Sequence, residues 1–263
     1  MAKDKGAYDR IIEKIFLDHY QNDHAEFVFI RREIIAAKEQ LAPDLDLNPG
    51  DVPYSYRYRR ALPEKIQATQ PTGKEWIIEG AGRSKYRFKL VPATRILPNP
   101  NLAEIAIPDA TPEIIRAYAL DDEQALLAIL RYNRLLDTFL SLTTYSLQNH
   151  LRTSVKGIGQ IEIDELYIGI DTYGCHYIIP VQAKGGKDQI GVVQTTQDIR
   201  FAESKFPEMR CKAVSAQFMD NGAVALFDLT IQREEVKIVD ERHYRLIPAN
   251  ELDQKAIRDY RPD

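Results

Sequence analysis

Between Gln160 and Gly186 two apolar runs flank the turn-forming stretch Asp171-Thr172-Tyr173-Gly174, and each run carries polar groups at its far end. Glu162, Asp164 and Glu165 lie on the first run, Gln182 and Lys184 on the second. Apolar runs rich in Ile and Tyr around a Gly-containing turn predict a two-stranded hairpin, which folds the two far ends together. Carboxylates a few ångströms apart repel one another and are tolerated side by side chiefly when a cation or a proton neutralises them. A divalent cation takes hard oxygen ligands, and an ammonium on the same face adds positive charge for an attacking water or a phosphate. The chemistry these residue types imply is metal-assisted hydrolysis at phosphorus.

Register decides which groups meet, because strand side chains alternate faces and directly paired residues share one. With Thr172-Tyr173-Gly174 as the loop, Asp171 pairs with Cys175, Asp164 with Gln182 and Glu162 with Lys184. A loop of two or four residues shifts the pairing, sets Glu165 opposite Gln182 and leaves Ile163 facing Lys184. The first register is preferred, since it gathers the ionisable groups and leaves Ile163 for the core. Tyr173 and Cys175 then serve the turn. A Cys175/His176 dyad is disfavoured, because neighbours on a strand point to opposite faces. His150 is a weak acid–base candidate against the commoner role of a satisfied structural histidine.

The elements that must hold this hairpin are bounded by composition. The 263 residues, 44% of them apolar, suit one large domain or two ordinary ones. No apolar run reaches the ~18–20 residues that cross a bilayer, and Met-Ala-Lys-Asp-Lys at the start lacks the apolar stretch of a secretion signal. A soluble, cytoplasmic protein with no membrane partner is expected. Cys175 and Cys211 are too few for a disulfide framework and are expected as unpaired thiols. The net charge of −4 hides a basic segment, residues 51–90, where nine Lys and Arg face four Asp and Glu for a local +5. Attraction to phosphate acts over about 8 Å at physiological salt, so this local excess matters more than the total.

In the N-terminal half, apolar spacing predicts helices over Tyr8 to Tyr20 and Arg31 to Leu41, with a short third near Leu62 to Ala68. Glu75 to Val91, divided at Gly80-Ala81-Gly82, predicts a hairpin. Three helices followed by a basic hairpin suggest a winged helix-turn-helix that contacts DNA. Tyr54, Tyr56 and Tyr58 interleave with Arg57, Arg59 and Arg60, a mixture suited to stacking on bases while pairing with phosphates. The alternative is a half-buried edge strand with packed tyrosines and solvated arginines. Arg83, Lys85 and Arg87 on the predicted wing favour DNA contact.

Pro92 to Pro108 is rich in Pro and Asn and marks a domain boundary. The predicted organisation is residues 1–95 for the winged-helix domain, 96–110 for a linker and 111–263 for the second domain. Thr111-Pro112 and Asp121 offer helix starts, and a long helix is expected from Asp121 to His150 with Leu126, Leu127, Leu130, Leu135, Phe139 and Leu140 inward. Its polar end, Gln148-Asn149-His150 with Arg152, is positioned to touch substrate. A further helix over Asp188 to Lys205 and strands over Lys212 to Met219 and Ala223 to Leu229, turned at Asp220-Asn221-Gly222, complete an α/β domain.

From Leu151 to about Tyr244 the sequence resembles the PD-(D/E)XK nuclease superfamily, and the whole chain resembles bacterial restriction-type endonucleases with an N-terminal winged helix. Glu162-Ile163-Asp164 matches the first acidic strand of that motif, Gln182-Ala183-Lys184 matches its triplet in a Gln variant, and Gly185-Gly186 leads into the following helix. The sequence departs from the pattern in having no literal Pro-Asp and an amide where the triplet carries an acid. The resemblance implies a restriction-endonuclease-like α/β/α core with a mixed sheet and Mg²⁺-dependent, sequence-specific cleavage of double-stranded DNA by a homodimer, with Mn²⁺ as a substitute metal. Asp164, Gln182 and either Glu162 or Glu165 would ligate the metal, Lys184 would serve the attacking water, and Gln189, Gln194 and Gln197 would lie toward DNA. Two other readings stay open: a DNA-binding regulator with a degenerate nuclease domain, which the amide at 182 favours, and metal-independent base removal through His or Tyr chemistry.

Overall fold

The computed structural model describes residues 2–22, 24–58, 60–92, 96–118, 123–155, 158–185 and 190–251. Contacts divide the chain into two units, Met1–Thr94 with Thr153–Ile161, and Arg95–Arg152 with Glu162–Asp263. The architecture is mixed α/β.

In the first unit the order is α1 (Ala2–His19), β1 (Glu26–Ile30), α2 (Arg31–Leu41), α3 (Asp51–Tyr58), α4 (Glu64–Gln67), β2 (Lys74–Gly80) and β3 (Lys85–Pro92). The strands form an antiparallel sheet in the order β1-β3-β2. Ile11, Ile12, Ile15 and Phe16 recur at helical spacing on α1 and pack against Trp76, Ile78 and Phe88 of the sheet. Phe16 meets Phe88 and Trp76 edge-on, with ring centroids 5.1 and 5.3 Å away, and the indole N–H of Trp76 donates to Thr69 Oγ1 at 3.0 Å. Glu33 reaches back to accept from the backbone N–H of Ile30 at 2.7 Å and so fixes the start of α2.

Residues 51–58 form a helix, which rules out the alternative of an edge strand there, and Glu26–Ile30 supply β1, on which the sequence pattern was silent. Helical phase puts Val52 and Tyr56 one turn apart on the buried side.

In the second unit follow β4 (Glu104–Pro108), α5 (Glu113–Tyr118), α6 (Glu123–Tyr132), α7 (Leu135–Leu140), β5 (Thr143–Val155), β6 (Gly159–Ile170), β7 (His176–Lys184), α8 (Val192–Lys205), β8 (Arg210–Cys211), β9 (Ala213–Phe218), β10 (Val224–Gln232), β11 (Glu235–Ile247) and a short 3₁₀ turn, Ala249–Glu251. The last residues of β5 and the first of β6 count with the first unit. The strands make an eight-stranded mixed sheet in the order β4-β11-β10-β9-β7-β6-β5, with β8 beside β7. One face packs on α6 and α7 through Leu126, Leu130, Phe139, Val181, Val214 and Leu226. The other packs on α8 through Ile199, Ala213, Ala225 and Phe227.

The long helix expected from Asp121 to His150 is not formed. Asn133 and Arg134 end α6, where Arg134 takes a left-handed φ of 48°, and Ser141 ends α7 the same way at 54°. Asp137 Oδ1 then accepts from the backbone N–H of Thr144 at 2.9 Å and starts β5. The expected linker contains β4, because Ile105 and Ile107 alternate onto the α6 side of the sheet and pair in parallel with Tyr244 and Leu246 of β11. Helix α8 begins at Val192, later than the expected Asp188; residues 186–189 lie outside the described part. Among the described residues no helix is long and apolar enough to cross a membrane.

Gly80, at the end of β2, shows how closely residues 153–161 pack on the first unit. A Cβ at Gly80 would stand 1.6 Å from the backbone oxygen of Ile158, which no rotamer can relieve. Gly80→Ala is therefore expected to cost about 3 kcal/mol, roughly 6–12 °C in thermal midpoint. Gly6→Ala, in open space within α1, is expected to stabilise by about 1 kcal/mol. Differential scanning calorimetry of the two variants checks both, and an unchanged midpoint for Gly80→Ala contradicts this packing.

Candidate functional site at the end of the β6–β7 hairpin

The turn sets the site. Asp171 Oδ1 accepts from the backbone N–H groups of Tyr173 and Cys175, both at 2.9 Å, and Oδ2 accepts from Tyr177 OH at 3.1 Å. The bond from Cys175 is the main reason its carboxyl lies below the ordinary aspartate range. Gly174 takes a φ of 80°, which a side chain would disfavour. The loop is thus Thr172-Tyr173-Gly174, and β6 and β7 pair from Ile170 with His176 to Glu165 with Val181. This is the preferred register of the two considered from sequence, and its next step sets Asp164 across from Gln182.

At that step the ladder ends and a side chain replaces it, the backbone N–H of Ala183 donating to Asp164 Oδ2 at 2.9 Å. Gln182 and Lys184 share the α8 face of β7, because β9 pairs Ser215 with Gln182 and Gln217 with Lys184 on the side that carries Ala213. Gln182 is 2% exposed and donates through Nε2 to Asp198 Oδ2 of α8 at 2.7 Å. Asp198 is also 2% exposed. Burial pushes its carboxyl well above the ordinary aspartate range; the hydrogen bond from Gln182 opposes that rise, the charge of Asp164 adds to it and the ammonium of Lys184 opposes it. Asp164, Gln182, Lys184 and Asp198 therefore form one electrostatically coupled group.

Two oxygens of this group, Gln182 Oε1 and Asp198 Oδ1, are buried without a hydrogen-bond partner. Buried acceptors are nearly always satisfied, and an orphaned pair points to a ligand such as a water or an ion. Among the described residues no three or more His, Cys, Asp or Glu side chains gather as a metal site. The donors here are two carboxylates and an amide, all hard oxygens of the kind Mg²⁺ takes, so their chemistry fits a divalent cation. Asp198 was not anticipated. The signal was an acid placed between Gln197 and Ile199 on the side of α8 that buries Thr195, Ile199 and Ala202.

The other acidic candidates lie elsewhere. Glu165 is fully buried on the opposite face of the sheet, where Ser146 Oγ donates to Oε1 at 2.5 Å and Arg131 Nε lies 3.3 Å away. Its charge also helps burial to raise the phenol of Tyr167. A cavity of about 100 Å³ lies on that face, lined by Arg131, Arg134, Asp137, Thr144, Ser146 and Tyr167 among others. Glu165 is thus not gathered with Asp164, since successive strand residues point to opposite faces. Glu162 is half-buried and paired with Arg152 at 3.1 Å, outside the β6–β7 ladder.

In the first unit Tyr56 faces the core and donates to Asp9 Oδ1 at 2.5 Å, so its ring is not presented to a ligand. Its phenol is raised by burial first and by that bond second. Arg60 lies over the rings of Tyr8 and Tyr56, 5.2 and 5.5 Å from their centroids. Tyr54 and Arg57 are half-buried on α3. Arg83 and Lys85 are exposed at the β2–β3 turn, while Arg87 stands between Glu26 and Glu79 at 3.4 and 3.6 Å. The Tyr58 side chain, Arg59 and Gln189 lie outside the described part.

Because folding raises the Asp198 pKa, its burial costs nothing below the ordinary aspartate range and costs progressively more as pH rises through it. In a metal-free solution with chelator, the wild-type chain should therefore lose stability relative to Asp198→Asn as pH rises above about 4, by up to about 1.4 kcal/mol per pH unit. Thermal unfolding across that range measures the difference, and a gap that does not vary with pH removes the buried carboxyl from this account. Comparison with protein-family models, with curated proteins and with solved structures finds no match for this chain.

Proposed function

We propose that this chain is a metal-dependent, sequence-specific DNA endonuclease of restriction type. In this reading the first unit is a winged-helix DNA-binding domain and the second a restriction-endonuclease-like core. The observation that carries it is the meeting of Asp164, Gln182, Lys184 and Asp198 at one end of a β-hairpin, with two buried oxygens left unsatisfied. The element order of the first unit and its β1-β3-β2 sheet suit a winged helix, with the exposed Arg83 and Lys85 at the wing tip.

Asp164, the amide oxygen of Gln182 and Asp198 would hold Mg²⁺, or Mn²⁺ in its place. When bound, the cation supplies charge neutralisation at the phosphate oxygens and lowers the pKa of a coordinated water. Lys184, on the same face as Gln182, donates hydrogen bonds from Nζ that orient the attacking water and stabilise charge growing on the phosphorane. The backbone N–H of Ala183 donates to Asp164 Oδ2, so the carboxylate is preorganised by the strand that carries the lysine. Asp198 takes the acidic role that the triplet itself lacks. Cleavage of both strands at a symmetric site requires two such centres, which a homodimer supplies.

Asp164→Ala and Lys184→Ala are each expected to lower plasmid cleavage in Mg²⁺ by at least about 10³-fold while duplex binding persists. A fully active Asp164→Ala, Lys184→Ala double variant sinks the assignment. The amide at 182, already engaged with Asp198, favours a second reading, a DNA-binding regulator with an inactive nuclease domain; no cleavage by the wild-type chain in Mg²⁺ or Mn²⁺, with binding retained, selects it. Independently, Arg83→Glu with Lys85→Glu should weaken binding to all duplex sequences alike and reduce the slope of log affinity against log salt by about 2. Filter binding from low to high salt tests this, and an unchanged slope removes the wing from the interface.

A further inference from the structure

β5 is the terminal strand of the eight-stranded sheet and the neighbour of β6, which carries Asp164. Adjacent strands lie about 4.8 Å apart, so whatever sits over β5 is one strand away from the proposed scissile phosphate. Six consecutive residues, Tyr145 to His150, are exposed, which leaves both faces of the strand in solvent where a sheet strand ordinarily buries one. The strand is anchored from beneath by Ser146 Oγ, which donates to the fully buried Glu165 at 2.5 Å.

The exposed groups are those that read base edges. Gln148 and Asn149 carry amides that pair with adenine, Arg152 carries the guanidinium that pairs with guanine, and Tyr145 and Leu147, 58% and 49% exposed, offer apolar surface to a thymine methyl. Among the described residues the side chains of Gln148 and His150 have no hydrogen-bond partner, while Asn149 Oδ1 accepts from Ser146 Oγ at 3.4 Å and Arg152 pairs with Glu162 at 3.1 Å. Thr143–Val155 contains no acidic residue, so nothing in the strand itself repels a polyanion.

A second copy adding a strand to this edge is the competing occupant. His150 opposes it, because a φ of 48° in a non-glycine residue interrupts the row of edge N–H and C=O groups that strand addition needs. The same left-handed residue breaks the alternation of the strand and re-aims its neighbours, a strained conformation of the kind that clusters at functional sites. A two-stranded ribbon fits the major groove, about 12 Å wide, and beyond Glu165, where the β6–β7 ladder ends, β6 continues beside β5 as such a pair with an open outer edge.

We propose that residues Gln148 to Arg152 of β5 enter the major groove and determine which base pairs flank the cut. This rests on the nuclease reading for its position relative to the phosphate. The test is selection of bound duplexes from a randomised library in chelator, performed on the full chain and on Gln148→Ala, Asn149→Ala and His150→Gly, with the fragment ends from Mg²⁺ digestion of genomic DNA sequenced in parallel. All three side chains are exposed, and glycine keeps the left-handed backbone at 150, so the fold is retained. Each variant is expected to lose discrimination on the order of 10-fold at one or two base positions while preferences elsewhere hold.

Unchanged preferences in the variants, or a uniform loss of affinity for every sequence, overturns the inference; so does a wild-type chain that selects no sequence. If wild-type digestion yields no ends but the variants shift the selected bases, base reading by β5 stands and the nuclease reading falls. If cleavage is robust and its sites are the same in all variants, the nuclease reading stands and this inference falls.

Discussion

A carboxyl group shut away from water between a helix and a sheet is the constraint around which the second unit is arranged. Asp198 loses its hydration on α8, and the compensation available is the Nε2 donor of Gln182 at 2.7 Å, with the Lys184 ammonium in electrostatic reach. An acid at position 182 would put a third carboxylate beside Asp164 and Asp198 and take away the side-chain donor that Asp198 has. An amide is the side chain of that size that donates to one oxygen and still presents another. The amide in the strand and the acid in the helix are therefore one arrangement, joined by a single buried hydrogen bond.

Which carboxylate belongs to this arrangement is decided at the far end of the hairpin. Asp171 closes a three-residue loop with its own side chain, and Gly174 allows the turn. A slip of one residue there would exchange the faces of Asp164 and Glu165 along the whole strand. Asp164 would then lie over Leu130 and Phe139 of the α6 and α7 core, and Glu165 would lose Ser146 and Arg131. Both outcomes bury an unpaired charge, so the packing on each face enforces the register the turn selects.

The hairpin was legible because its signals are local: turn residues fix the loop, and the loop fixes the faces. The strands over Ala213 to Phe218 and Val224 to Gln232 were legible for the same reason, from Asp220-Asn221-Gly222 between apolar runs. Asp198 was hidden, since Gln194 and Gln197 drew attention as positions lying toward DNA, whereas Gln197 is itself buried and so is not presented to a duplex. β5 was misread because leucines from Leu126 to Leu140 continue a helical spacing through Arg134, and because a strand exposed on both faces carries no alternation to detect. β4 escaped notice because its parallel partner, β11, lies about 140 residues further on.

Charge in the first unit needs the same distinction between count and placement. Part of the positive charge of residues 51–90 is paired within the first unit: Arg60 stacks on Tyr8 and Tyr56, Arg87 is held by Glu26 and Glu79, and the exposed Lys65 pairs with Glu13 at 2.8 Å. The aromatic-basic stretch forms a helix on which Tyr56 packs inward, so Tyr56 contributes stability where stacking on bases was expected. Exposed positive charge also stands at the β2–β3 turn, on Arg83 and Lys85, where two long side chains are carried by a short hairpin. Attraction to a phosphate backbone falls off within about 8 Å at physiological salt, so in the proposed DNA-binding role a narrow tip of this kind would orient a duplex along one line and contribute no sequence information. If the chain is the nuclease proposed, discrimination between sequences would come from groups that meet base edges, such as the exposed amides of β5, and not from the arginines that the composition brought forward.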